Sequence, residues 1–98
     1  MPDHLRPTEV DLVGQWVPVG RGVQGDATCL RIQWLVSQRL ERLGSDHTSG
    51  WETLFRDPRD GQLWELTYPQ SEMHGGGPPR LRVITRQAAA AKYHPVTG

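Results

Sequence analysis

The sequence predicts an α+β fold: a small antiparallel sheet of about four to five strands, with one long helix packed across a face and a short C-terminal helix. Three observations carry this. Cys29, Ile32, Val36, Leu40 and Leu43 recur at steps of three and four, the period of one helical face. Two β-forming runs, 51–56 and 62–68, flank Asp57-Pro58-Arg59-Asp60-Gly61, a turn with Pro early and Asp-Gly at its end. The chain has 98 residues, which suits a single domain over 1–98, so the helix has only the sheet to cover it.

Taken in order, residues 1–8 are polar, with Pro2 and Pro7, and read as a frayed or loosely docked arm. Val10, Leu12, Val13, Trp16, Val17 and Val19 are mostly β-formers, interrupted by Gly14 and Pro18. They make either one bulged strand or two short ones. Gly20-Arg21-Gly22 and Gly25 mark turns. Asp26 is a good N-cap and Gly44 a good residue just past a helix end. Between them the stripe, widened by Leu35, runs for roughly four to five turns. Arg31, Gln38, Arg39, Glu41 and Arg42 fall mainly off it, toward water. Residues 45–50 form a loop before the hairpin. In its second strand, alternation sends Trp64, Leu66 and Tyr68 to one face and Leu63, Glu65 and Thr67 to the other. Glu65, a charge at mid-strand, either points to water or pairs with an Arg across the sheet. Pro69 to Pro79 is a long loop around Gly75-Gly76-Gly77-Pro78-Pro79, either flexible or folded back on the sheet for contact. Leu81–Thr85 is a strand, and Thr85 caps a short helix over Arg86–Tyr93 that ends at His94-Pro95.

Eleven Lys/Arg balance eleven Asp/Glu, which argues against a general nucleic-acid binder. The distribution is uneven. Residues 44–72 are net −4 (Asp46, Glu52, Asp57, Asp60, Glu65 and Glu72 against Arg56 and Arg59), and residues 73–98 are net +4 (Arg80, Arg82, Arg86 and Lys92). These charges either pair within the fold or leave an acidic face for a basic partner. Four Trp (16, 34, 51, 64) in a chain only 36% apolar argue for a packed core over disorder. A single cysteine, Cys29, on the apolar side of the helix reads as a buried, inert thiol. Met1-Pro2-Asp3-His4 lacks the regions of a signal peptide, and no run reaches membrane-span length. The expected setting is the reducing cytoplasm, without membrane association.

Few constellations for catalysis are present. No Cys pair, zinc spacing, phosphate loop or nucleophile elbow occurs, so no metal or cofactor is expected. Glu65, Glu72 and His74 are the one grouping that suits a small enzyme or metal-dependent hydrolase. A nucleic-acid module would stack bases on sheet aromatics and use Arg80, Arg82 and Arg86 on phosphates, but the hairpin carrying the aromatics is acidic.

The runs Gly50–Pro69, with Asp60-Gly61-x-x-Trp64-Glu65 at its centre, and Ser71–Pro79, with its Gly-Gly-Gly-Pro-Pro loop, resemble the immunity protein 27 family of bacterial polymorphic toxin systems. Asp26–Leu43 resembles the family helix and Leu12–Trp16 its first strand. Where the family commonly has Arg-Tyr after Asp-Gly, this chain has Gln62-Leu63.

The resemblance implies a non-catalytic inhibitor that binds and neutralises a cognate toxin domain. If that toxin is a nuclease, an acidic face built on Asp57, Asp60 and Glu72 would mimic nucleic acid and speed capture. The partner-binding residues expected from the motif are Trp51, Glu52, Asp57, Asp60, Glu65, Tyr68, Glu72 and His74. Trp64 and Leu66 are expected in the core, Gly61 in the turn, and Asp57 also as a local cap.

Overall fold

The computed structural model describes residues 5–6, 8–45, 52–69 and 77–93. Chain order is β1 (Asp11–Val13), β2 (Trp16–Val19), β3 (Gly22–Gly25), α1 (Ala27–Gln38), β4 (Glu41–Ser45), β5 (Thr53–Arg56), β6 (Leu63–Thr67), β7 (Arg80–Val83) and α2 (Arg86–Lys92). Five strands form one antiparallel sheet in the order β1-β7-β6-β5-β4, and β2 and β3 form a separate two-stranded sheet. The expected α+β architecture is present, with one helix on each face of the main sheet.

Alternation along β6 explains this layering. Its register places Trp64 beside Phe55 and Val83, and Leu66 beside Leu81. Those side chains join Leu12 and the α1 residues Ile32 and Leu35 in the larger core cluster. The opposite face carries Leu54 and Leu63, packed against Ala89 of α2 and against Tyr93. All five β6 residues are therefore buried. A strand covered on both faces cannot send a charge to water, so Glu65 takes the second of its two options and faces Arg82 across the sheet.

Both predicted caps form. Asp26 accepts from the Cys29 N–H at 2.9 Å, and Thr85 from the Ala88 N–H at 3.1 Å. The long helix, however, stops at Gln38 instead of running to Gly44. Arg39 and Leu40 both donate their N–H to the Leu35 carbonyl, closing the last turn. The next five residues then become edge strand β4, paired Glu41↔Arg56 and Arg42↔Phe55, with a register shift between Arg42 and Gly44. Leu40 joins the larger cluster while Leu43 packs against the smaller one. Leucines that looked like one helical stripe thus serve opposite faces of the sheet, because pairing with β5 outweighs local helical preference. Ser45, read as loop, ends that strand.

The β-forming run after Val10 resolves into two short strands in different sheets. The break is at Gly14, where a Cβ would sit 2.6 Å from Cys29 Sγ and 2.8 Å from the Pro79 carbonyl oxygen. Its N–H donates to that carbonyl at 2.8 Å. Gly22 and Gly25, read as turn residues, are instead the two ends of β3. Gly20, at φ +59, supplies the left-handed position that the two-residue β2–β3 loop needs. Cys29 is buried, and burial raises its pKa, as suits an inert thiol. Leu5 lies in the core and its carbonyl accepts from Arg59 Nη2 at 2.8 Å, so the N-terminal arm is docked at this point. Gly77, Pro78 and Pro79 are buried; these three residues of the Gly/Pro loop fold back against the body.

Candidate functional site

Two of the residues singled out in the sequence, Glu52 and Glu65, meet where β5, β6 and the end of α2 come together, and two more, Asp57 and Asp60, lie in the turn between β5 and β6. Glu65 sits at the middle of β6, between Leu54 and Arg82 in register. It is 1% exposed. Its Oε2 accepts the Tyr93 hydroxyl at 2.7 Å and lies 2.7 Å from Lys92 Nζ. Its Oε1 receives Arg82 Nη2 at 3.3 Å and Nε at 3.4 Å. Lys92 also bridges to Glu52, just before β5. At the far side of β7, Arg80 clamps Asp11 with bonds of 2.9 and 2.6 Å. Glu52 and Glu65 of the acidic middle therefore pair with Lys92 and Arg82 of the basic tail, as the first of the two readings of the asymmetry expects for these residues.

Burial alone would push the Glu65 carboxyl upward, but Lys92, Tyr93 and Arg82 more than offset it and hold it below the ordinary carboxylate value. Burial likewise lowers Lys92, and Glu52 and Glu65 outweigh it, so its ammonium is held above its usual value. Both oxygens of this acid are engaged and it is almost unexposed. Its geometry suits a tie between α2 and the sheet.

Asp57 serves the turn. Its Oδ1 accepts the Arg59 N–H at 2.9 Å, and its Oδ2 lies 3.1 Å from Arg59 Nη2. Its backbone closes the turn through Asp57 N–H to Gln62 O at 2.9 Å and Gly61 N–H to Asp57 O at 2.8 Å. Gly61, at φ +77, takes a backbone conformation that other residues adopt at a cost. Asp57 is buried while Asp60 is exposed, and Asp60 Oδ1 caps the Gln62 N–H at 2.9 Å. The local capping role expected of Asp57 is thus in place. Tyr68 is half-buried against the larger core cluster. Trp51, Glu72 and His74 lie outside the described residues, as does the 46–50 loop.

Lys92 and Tyr93 were not singled out by reading the sequence, although they complete the Glu65 site. The available signal was the charge imbalance itself: an acid-rich middle followed by an acid-free basic tail in one short chain. Glu9 and Arg31 were also missed as a pair. Arg31 grips Glu9 with bonds of 2.6 and 2.7 Å, and this hydrogen bonding lowers the Glu9 pKa to about 2. Among the described residues, no group of three or more His, Cys, Asp or Glu has a geometry that would hold a metal ion. No helix among them is long and apolar enough to cross a membrane.

The family model for Imm27, immunity protein 27, matches residues 19–85. No match was found among curated proteins or among solved structures.

Proposed function

The chain belongs to the immunity protein 27 family, and from that premise we propose that it protects its cell by binding a cognate toxin domain and blocking it without turnover. The family match over residues 19–85 carries the reading. The state of Glu65 supports it. The acid that an enzyme reading would use is buried and held by Tyr93, Lys92 and Arg82. A rigid scaffold that presents side chains from fixed strands and turns is what an inhibitor needs, since ordering costs are met before binding.

Within this reading the expected contact residues divide by exposure. In this reading Asp60, exposed at the turn, is the direct contact, while the partly exposed Glu52 and Tyr68 lie on the α2 and α1 sides of the sheet. Asp57 and Glu65 act by positioning, holding the turn and α2. Trp51, Glu72 and His74 are the further contact residues that the family motif implies. A nuclease is the toxin class that an acidic face would fit, because a nuclease cleft is basic.

Co-expression with toxin domains encoded in the same genome tests the proposal. One toxin should be silenced, with growth restored, and should be retained with the chain on an affinity column. Growth rescue without a stable complex would overturn inhibition by binding. Failure to rescue against every candidate would overturn the immunity reading.

A further inference from the structure

We propose that the outer edge of β3, centred on Val23, is a docking strand for an extended segment of the cognate toxin. This rests on the immunity reading above. The β2–β3 hairpin stands apart from the main sheet as its own two-stranded ribbon. Asp26 donates its N–H to the Gln15 carbonyl at 3.0 Å, one step beyond the Trp16↔Gly25 pair. In an antiparallel ladder the hydrogen-bonded pairs recur at every second position. Val17↔Gln24 and Val19↔Gly22 are then the bonded pairs, and Trp16, Pro18, Val23 and Gly25 turn their main-chain groups outward.

The two outer edges are not equivalent. On β2 the outward positions are Trp16 and Pro18, and Pro18 has no N–H, so that edge lacks a donor at its centre and is a poor template for a new strand. On β3 the outward position is Val23, which offers both N–H and C=O. Gly25 approaches Cys29, where a Cβ would lie 2.7 Å from the Cys29 Cβ, so the open stretch is Arg21 to Gln24. Val23 is 64% exposed, and Val19 on the opposite face of the ribbon is 50% exposed. Edge β4 of the main sheet, by contrast, carries a register shift between Arg42 and Gly44, a device that discourages added strands.

The occupant follows from size and charge. An edge of four residues presents far less than the ~800 Å² per partner of a stable interface. Two copies meeting here alone would not hold together, whereas a toxin strand can pair here as one part of a larger contact. Arg21 is the only charge in 16–25 and is exposed at the tip. The matching segment is extended, carries an apolar residue against Val23 and Pro18, and places a carboxylate near Arg21.

The probe is the toxin domain identified by growth rescue, catalytically silenced for handling. Amide exchange followed by NMR should show Val23 exchanging fast in the free protein, with Gly22 and Gln24 protected. In the complex the Val23 amide should slow by about tenfold or more, as a new backbone hydrogen bond requires. Val23→Pro removes the outward N–H and leaves the internal pairs intact, as Pro18 already does on the other strand; it should weaken binding about tenfold or more. Unchanged Gly22 and Gln24 protection in that variant verifies a folded hairpin. Equal Val23 exchange in free and bound protein, or wild-type affinity of a folded Val23→Pro variant, would overturn the edge proposal while leaving the immunity reading standing. A dimer of the chain alone that Val23→Pro abolishes would overturn it in favour of a second copy. If the unaltered protein binds no toxin domain, both proposals fall.

Discussion

Tyr93 donates its hydroxyl to Glu65 Oε2 at 2.7 Å, joining the residue after α2 to the centre of β6 across 28 positions of sequence. Removing that donor leaves a buried carboxylate short of a partner. Tyr93→Phe keeps the ring and its packing against Leu54 and Leu63. It should destabilise the fold by about 1.5–3 kcal/mol, the range for a hydrogen bond to a charged group. Urea denaturation gives the value, and an unchanged midpoint would show that this hydrogen bond adds nothing net to the hold of Lys92 and packing on α2.

Acid should weaken the protein through Glu9. Its carboxyl is lowered from the ordinary 4.5 to about 2, first by hydrogen bonding to Arg31. The unfolded chain therefore binds the proton more tightly than the folded one. Stability from this pair is complete above the unfolded value and is lost as pH falls through the folded one. Glu65 and Asp11, also held below their ordinary values, act in the same direction. Thermal midpoints should fall from about pH 5 toward pH 2, and Glu9→Gln should flatten part of that slope.

A methyl group at Gly14 has no room. Gly14→Ala would place its Cβ 2.6 Å from Cys29 Sγ and 2.8 Å from the Pro79 carbonyl oxygen. Overpacking of this kind costs about 1–3 kcal/mol. Adding Cys29→Ala should recover only part of the loss, because the carbonyl stays. Gly44→Ala, with nothing within 4 Å of the added Cβ, is the control and should leave the urea midpoint nearly unchanged.

The two aspartates of the β5–β6 turn should separate fold from partner. Asp57 is buried and bonded to Arg59, so Asp57→Ala should lower stability by roughly 1–3 kcal/mol. Asp60 is exposed, and Asp60→Asn keeps the acceptor for the Gln62 N–H. That variant should melt like the wild type. Under the proposed function it should slow association with the toxin and reduce the salt dependence of the on-rate. Stopped-flow measurement at two ionic strengths checks this, and an unaltered rate would remove Asp60 from the proposed face.

Of the candidate site, the turn chemistry and the strand alternation were legible in the sequence. The motif marked Asp57, Gly61 and Glu65 as special, and alternation separated Trp64 and Leu66 from Glu65. What the motif could not distinguish is whether a residue marked as special is exposed or is a support beneath the surface. Asp57 and Glu65 are both buried, because the turn encloses the first and the end of α2 covers the second.

By itself the sequence determined the α+β class, both helix N-caps, the β5–β6 hairpin with its turn, and the two faces of β6. Each is a local matter, set by side chains within a few residues of one another and by the periods of helix and strand. Tertiary structure alone decided that α1 ends at Gln38 and that Leu40 and Leu43 part to opposite faces. It also decided that β2–β3 forms a ribbon of its own and that Glu65 is held by Tyr93, Lys92 and Arg82. These outcomes depend on pairing and burial between distant segments, and such contacts override local preference when a strand gains a partner or a charge is enclosed on both sides.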